Sequence, residues 1–422
     1  MRRSTNAVPV YLLLCGGSAG LFAMVATLNL VYQATVVGLS PLQLVLVGTV
    51  LEAVCFLAEV PTGVVADLYS RRLSVLIGLF LYGVGWTLEG SVPHFAAVLA
   101  AQVLWGVGAT FMSGATDAWI VDEVGDETRI AGIFVRGTKA GQAGTVAGIL
   151  LAGLLGLVWL RLPIILGGIG YLALGLALAA IMPERGFQPT RTADRTTFGE
   201  MIGQVRAGLA LARRRRLVRT LLLVSIVTGL ASEAFDRLWT VHLLRFAAVG
   251  EHDRVLWFTA IGLVGTLLSL GVTAAISRVS PRTLTHLHPT RLMAGLAAVQ
   301  VGAAAVFAVS GQFAVAVAML WLRTIVGVLS QPVGSAWMNR QLEPAVRATV
   351  LSMESQLNAG GQVVGGPLLG WMGSAVSVRA ALLASAATLA PVVGLFARAP
   401  AGQATAPDDR ATAPDSAQET AP

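Results

Sequence analysis

The sequence predicts an all-α membrane protein with about twelve transmembrane helices in two pseudo-symmetric halves of six. Three observations carry that expectation. Apolar runs near 20 residues long, enough to cross a bilayer, recur along almost the whole chain. Charged residues make up 12% of the 422 positions, about half of the ~25% found in soluble domains. A polar, arginine-rich stretch from Pro183 to Arg216 separates the runs into two sets.

Taken in order, spans are expected at Val10–Val36, Leu42–Ala66, Leu73–Gly90, Phe95–Val121, Thr138–Leu157 and Leu162–Met182. The second set is expected at Leu217–Leu244, Leu256–Ser277, Leu292–Ser310, Phe313–Met338, Thr349–Met372 and Val376–Phe396. Met1-Arg2-Arg3 could imitate a signal peptide, but the run that follows is too long for the apolar core of one. The domains are therefore residues 1–182, a linker over 183–216, residues 217–397, and a tail over 398–422 without periodicity that reads as disordered. Within the linker, Thr197 and Glu200 fit a capping box. Met201–Arg216, ending in four arginines, reads as an amphipathic helix on an anionic lipid surface.

Charge sets the orientation. Arg161, Arg245, Arg254 and Arg379 fall in loops of one side, Arg237 and Arg323 lie within spans, and the great majority of the 29 Lys and Arg lie on the other side. The positive-inside bias then puts both termini and the linker in the cytoplasm, with the protein in the inner (plasma) membrane. The net charge of +7 follows from those loops rather than from nucleic-acid binding, because the basic stretch lacks interleaved aromatic residues.

Two cysteines, Cys15 and Cys55, fall inside spans as small hydrophobes. The five histidines share no helix face, and His286 and His288 have only a weak metal spacing, so neither a metal nor a cofactor is expected. No H-E-x-x-H, Walker A or G-x-S-x-G pattern points to an enzyme. A weak repeat supports two halves: Ala118-Trp119 with Ala336-Trp337, Arg129 with Arg347, and Gly148 with Gly366 share one offset. Trp119 and Trp337 are expected in an aromatic belt at the interface.

The stretch Pro61–Arg72 reads as a polar hinge between two apolar runs. Gly63 and Asp67 are one helical turn apart, so Gly63 leaves room for a neighbouring helix on the face that carries Asp67. Gly63, Ala66, Asp67, Arg71 and Arg72 fall on matching positions of the signature loop of the major facilitator superfamily, G-x-L-A-D-R-x-G-R-R/K, which this stretch resembles. Leu68 and Ser70 depart from it, removing one basic residue and one turn glycine. The resemblance implies a gate in which a loop arginine pairs with an acid at the end of the fourth span, here Asp122 or Glu123. The family's fourth-span arginine is Gln102 in this chain, followed by Gly106, while Arg323-Thr324-Ile325-Val326-Gly327 repeats the pattern in the tenth span. The glycine-proline element of drug antiporters lacks its proline in the fifth span (Gly141, Gly144, Gly148), and its nearest match is Gly365–Gly370 in the eleventh.

Ionisable groups inside spans mark ion or substrate pathways. The candidates are Glu52 and Glu59, two turns apart; Asp117; Glu233, Asp236 and Arg237; Arg323 as a counter-charge; and Glu354 with Asn358, one turn apart. Glu233 and Glu354 are chosen as the proton or cation handlers. Tyr32, Gln33, Trp239, Trp337 and Asn339 are candidates for the cavity wall. The resemblance implies a secondary transporter with alternating access, monomeric, with protons and a small molecule as partners. The expected task is proton-coupled efflux of amphiphilic, drug-like compounds. The alternatives are a proton-linked importer of a small metabolite and a non-transporting receptor of the same fold.

Overall fold

The bilayer core has no water to satisfy a backbone amide or carbonyl, so a chain this apolar closes its hydrogen bonds within each crossing segment. The computed structural model describes residues 7–189, 203, 210–246, 250–278, 288–342 and 344–399. Among them run α1 (Ala7–Thr35), α2 (Pro41–Leu68), α3 (Arg71–Ser91), α4 (Phe95–Met112), α5 (Ala115–Val124), α6 (Glu127–Val158) and α7 (Leu162–Ile181). The second half holds α8 (Arg216–Leu244), α9 (Glu251–Arg278), α10 (Pro289–Val309), α11 (Phe313–Gln341), α12 (Pro344–Ala375), α13 (Val378–Leu389) and α14 (Pro391–Ala397).

Among the described residues, eleven segments are long and apolar enough to cross a membrane, α4–α5 and α13–α14 each forming one broken crossing. The twelfth, α12, has 32 residues but a polar middle with Glu354, Gln356, Asn358 and Gln362. The expected twelve-span layout is therefore the observed one, and several boundaries differ for local reasons. The fourth crossing breaks at Gly114, whose φ of +71° suits a residue without a Cβ. The last breaks before Pro391, which has no amide hydrogen to continue the ladder. The fifth begins at Glu127 rather than Thr138, because Asp126 caps α6 by accepting from the Thr128 amide at 3.0 Å. Bonds from Thr128 hold the Asp126 carboxyl below the usual carboxylate range.

The supposed hinge Pro61–Arg72 is mostly helix. The chain continues through Pro61 to Leu68, and only Tyr69 and Ser70 intervene before α3. Ser70 caps that helix, its Oγ accepting from the Leu73 amide at 2.8 Å. The two tryptophans expected in an interfacial belt are instead core residues, each 1% exposed. Trp119 donates its indole N–H to the Pro183 carbonyl at 2.6 Å, and Trp337 packs edge-on against Phe396. Both cysteines are free. The Thr197–Glu200 capping box, His286, the first six residues and the tail from Pro400 lie outside the described residues, as does half of Met201–Arg216, of which Ala210–Arg214 is helical.

Close backbone approach ties the crossings together. In the first half α1 lies along α6, and α3 lies between α4 and α7; in the second, α8 lies along α12. A side chain at Gly144 or Gly148 of α6 would overlap the carbonyls of Gly16 and Gly20 on α1. Gly361 and Gly365 of α12 hold the same relation to Ile226 and Leu230 on α8. The packing repeat thus runs one residue out of step with the sequence pairing of Gly148 and Gly366. Gly366 instead faces Thr49 of α2.

The halves meet toward the distal face, opposite the start of α1 and the end of α14. The Leu42 amide donates to Ser374 Oγ at 2.9 Å, Gly370 abuts Val45, and Gly156 of α6 abuts Val255 of α9. Toward the terminal face, which carries the α2–α3 turn, α2 diverges from α8 and α12 around a cavity of about 660 Å³.

This packing predicts opposite signs for two glycine-to-alanine changes in α6. G148A, forced against the α1 backbone, lowers stability by about 1–3 kcal/mol. G132A, with no atom within 4 Å of the new Cβ, raises it by about 0.5–1 kcal/mol through helix propensity. Unfolding midpoints in detergent micelles check both, and the reverse order would contradict the contact.

Candidate functional site

Two regions collect the polar chemistry, one at the terminal face and one where the halves meet. At the terminal face Arg71, in the first turn of α3, reaches Asp122 on α5 with Nη1–Oδ2 of 2.7 Å. The side chains are 18% and 24% exposed, so this is a half-sheltered pair worth about 0.5–1 kcal/mol. Both residues belong to the first half. Glu123 does not share the arginine. It is buried, and its Oε1 accepts from the backbone amides of Arg185 and Gly186, the latter at 2.7 Å. Adjacent residues on a helix point about 100° apart, which separates the two acids.

A further acid, Glu184, completes this region. It accepts from Ser70 Oγ at 2.6 Å and from the Arg72 amide at 2.9 Å, while the Arg72 guanidinium donates to the Ala179 carbonyl. The α2–α3 turn, the end of α5 and the start of the linker are therefore one hydrogen-bonded unit. Asp67 is exposed and has no hydrogen bond or ion pair among the described residues, and Gly63 faces open space. The second half lies away from this loop in the present conformation.

Where the halves meet, α8 presents Glu233 and Arg237 one turn apart. Nε of Arg237 donates to Oε1 of Glu233 at 2.9 Å, with the side chains 15% and 4% exposed. Removing one partner of such a pair costs about 3–5 kcal/mol, because the other charge is left buried alone. The pair rests on Gly48 of α2, where any side chain would overlap both groups, and Glu233 also lies against Gly366 of α12. Glu52, one turn along α2, has Glu233, Arg237 and Asp236 as electrostatic neighbours. Asp236 faces Glu233, Arg323 and Arg237, and keeps accessible surface although protein encloses it, as a group lining a cavity does. Arg323 of α11 stacks over the Phe235 ring at 3.6 Å, a cation–π contact that shelters a charge at mid-span.

The other candidates lie apart from this cluster. Glu59 is exposed on α2, and Asp117 accepts from the Tyr11 hydroxyl at 3.3 Å near the terminal face. Glu354 is half-buried on α12 with no hydrogen bond or ion pair among the described residues. Asn358 joins α12 to α8, donating to the Ser225 carbonyl at 3.3 Å and accepting from Gln362 at 2.8 Å. Trp239 packs on Phe258, and Asn339 accepts from Arg347 at 2.6 Å. Among the described residues no three His, Cys, Asp or Glu side chains converge on a metal site.

One group escaped the sequence reading. Glu89, near the distal end of α3, is completely buried. Gln33 donates to its Oε1 at 2.7 Å and Gln102 to its Oε2 at 3.1 Å, while Tyr32 donates to its backbone carbonyl at 2.6 Å. Tyr32 and Gln33 are thus locked in this knot and do not line the cavity. The amide oxygens of Asn29, Gln33 and Gln102 are buried without a donor. The signal was present: an acid inside an apolar run, with glutamines in the neighbouring runs.

The cavity below the ion cluster begins at Ala53 and Phe56, within a turn of Glu52, and is walled by Leu222, Ile226, Leu357 and Val364, with Arg219 and Gln356 its polar residues. A smaller cavity of about 210 Å³ inside the second half is lined by Arg323, Gln300, Ser232, Ser330 and Ser385 among apolar neighbours.

Comparisons with known proteins place this architecture. An uncharacterized MFS-type transporter, YxaM of Bacillus subtilis (strain 168), is 20% identical, with 85% of this chain and 88% of the relative covered. The solved nucleoside transporter NupG superposes with a TM-score of 0.73 at 14% identity, over 93% of this chain and 98% of that one. An inward-facing, occupied bacterial homologue of the human lysosomal transporter Spinster gives 0.67 at 14% identity, over 93% and 95%. These proteins are transporters, not enzymes. The profile of the Major Facilitator Superfamily matches residues 12–328, and with the twelve-crossing fold around a seam of buried charge, the chain belongs to the major facilitator superfamily of membrane transporters.

Proposed function

We propose that the protein is a proton-coupled exporter of amphiphilic small molecules, working by alternating access as a monomer. The observation that carries the reading is the cluster of Glu52, Glu233, Asp236 and Arg237 at the distal seam, directly above an apolar cavity open on the terminal face. Glu52, on α2 of the first half, has Arg237 of the second half beside it only while the halves meet. Separating them removes that counter-charge from Glu52 and uncovers Glu233, so proton exchange and closure become one event. Glu89 is a second proton candidate, since an added O–H would supply a donor where three amide oxygens lack one. Glu354, facing the terminal side alone, is the proposed relay from that side.

The apolar walls supporting this substrate class offer dispersion and area burial rather than the directed hydrogen bonds a sugar needs. Arg71 and Asp122, with Asp67 and Gly63, form the proposed terminal gate: Asp67 is free now and finds its partner when the second half swings in. The terminal face is assigned to the cytoplasm of an inner-membrane protein from the distribution of arginine. A second reading, import of a small polar metabolite, is favoured by the cavity around Arg323, Gln300 and Ser330.

Vesicles separate the readings. Export predicts that inverted vesicles with an acid lumen accumulate a fluorescent amphiphilic dye; accumulation confined to right-side-out vesicles would sink it. D236N and E233Q each reduce that proton-driven uptake at least tenfold, and wild-type rates in both variants would remove the cluster from coupling. G48L, which cannot accept the Glu233–Arg237 pair, holds the distal face open, seen as a longer spin-label distance between the distal ends of α2 and α12. The exchange R71D/D122R recovers transport lost in R71D alone; equal loss in both would remove the ion pair from the gate.

A further inference from the structure

The α8–α14 face at the terminal side carries a second groove, which shares Arg219 and Leu223 with the wall of the apolar cavity. Arg216, Arg219, Leu223 and Val227 recur at spacings of three and four on α8, which places them in one stripe. Leu395 and Arg398, on and just after α14, form the facing stripe, and between the two lies a groove of about 540 Å³. The three guanidinium groups have no acidic partner and no side-chain hydrogen bond among the described residues, and all three arginines are exposed. Charge is confined to the terminal end, while the floor toward Pro391 is apolar. From Arg216 to Val227 the stripe spans twelve residues, about 16 Å along the helix axis.

We propose that this groove is a binding site for one anionic phospholipid, its phosphate held by Arg216, Arg219 and Arg398 and the first part of an acyl chain lying over Leu223, Val227 and Leu395. Three unpaired cations in one groove match a phosphodiester far better than a zwitterionic head, whose ammonium they repel. The apolar extension distinguishes a lipid from other anions, because a free phosphate or an acidic peptide leaves that floor uncovered. The chain's own tail, with Asp408, Asp409, Asp415 and Glu419, is the competing anion. The proposal does not depend on transport direction, and needs only that this face meets a headgroup layer.

Native mass spectrometry of the full-length protein, released from detergent with equal phosphatidylglycerol and phosphatidylcholine, tests it. The expected result is one phosphatidylglycerol retained at least fivefold over phosphatidylcholine. R219Q/R398Q loses that preference while keeping wild-type elution volume and helical circular dichroism, and V227W, which fills the apolar end, weakens retention with the arginines intact. Equal retention of both lipids, or an unchanged preference in R219Q/R398Q, would overturn the proposal. So would displacement of the lipid by soluble glycerol phosphate at equal concentration, the mark of a phosphate site. A preference that emerges only in a chain ending at Ala399 would make the tail the occupant and overturn it equally.

Discussion

Glu233 and Arg237 can lie within a membrane protein's interior because each is the other's counter-charge, and the way the halves meet follows from giving that pair a place to lie. A buried pair still needs contact on every side, and here the wall is made of the least bulky residues available. Gly48 supplies one side and Gly366 another, so three helices from two halves converge where their side chains are absent. The same device recurs within each half, where glycines of α6 and α12 admit the backbones of α1 and α8. Helices in lipid gain little from burying apolar surface, since the surrounding solvent is as apolar as they are. Close approach at glycine and shared polar groups therefore do the holding.

The sequence made the large elements legible because apolar length is a strong signal in a bilayer. A helix is found at every expected crossing among the described residues. Breaks were harder to see. Gly114 and Pro391 end helices by backbone geometry, while Pro61, read as the start of a polar hinge, is carried inside α2. In a membrane a proline is tolerated wherever neighbours re-satisfy the freed carbonyl, so its presence alone does not mark an end.

Side-chain partners were harder to read. Arg323 was the expected counter-charge, yet Glu233 pairs with Arg237, four residues on along the same helix. Asp122 and Glu123 are adjacent, and only the rotation of α5 decides which meets Arg71. Glu89 lay hidden for a related reason: an acid near the end of an apolar run resembles a boundary. Its meaning depends on Gln33 and Gln102 arriving from α1 and α4. Gln102, which stood out in the sequence as a missing arginine, has become an amide that donates to that acid.

The start of the linker has a mechanical meaning. Pro183, Arg185 and Gly186 are bound by Trp119 and Glu123, and Glu184 holds the α2–α3 turn. The chain therefore leaves the first half at Gly186 rather than at the end of α7. In the proposed alternating-access cycle those four residues travel as part of the first body, and the tether between bodies is shorter than its sequence suggests. A pull on that tether is delivered to the same hydrogen bonds that seat Arg72 and the α2–α3 turn, so the connection between the halves is tied to the proposed gate.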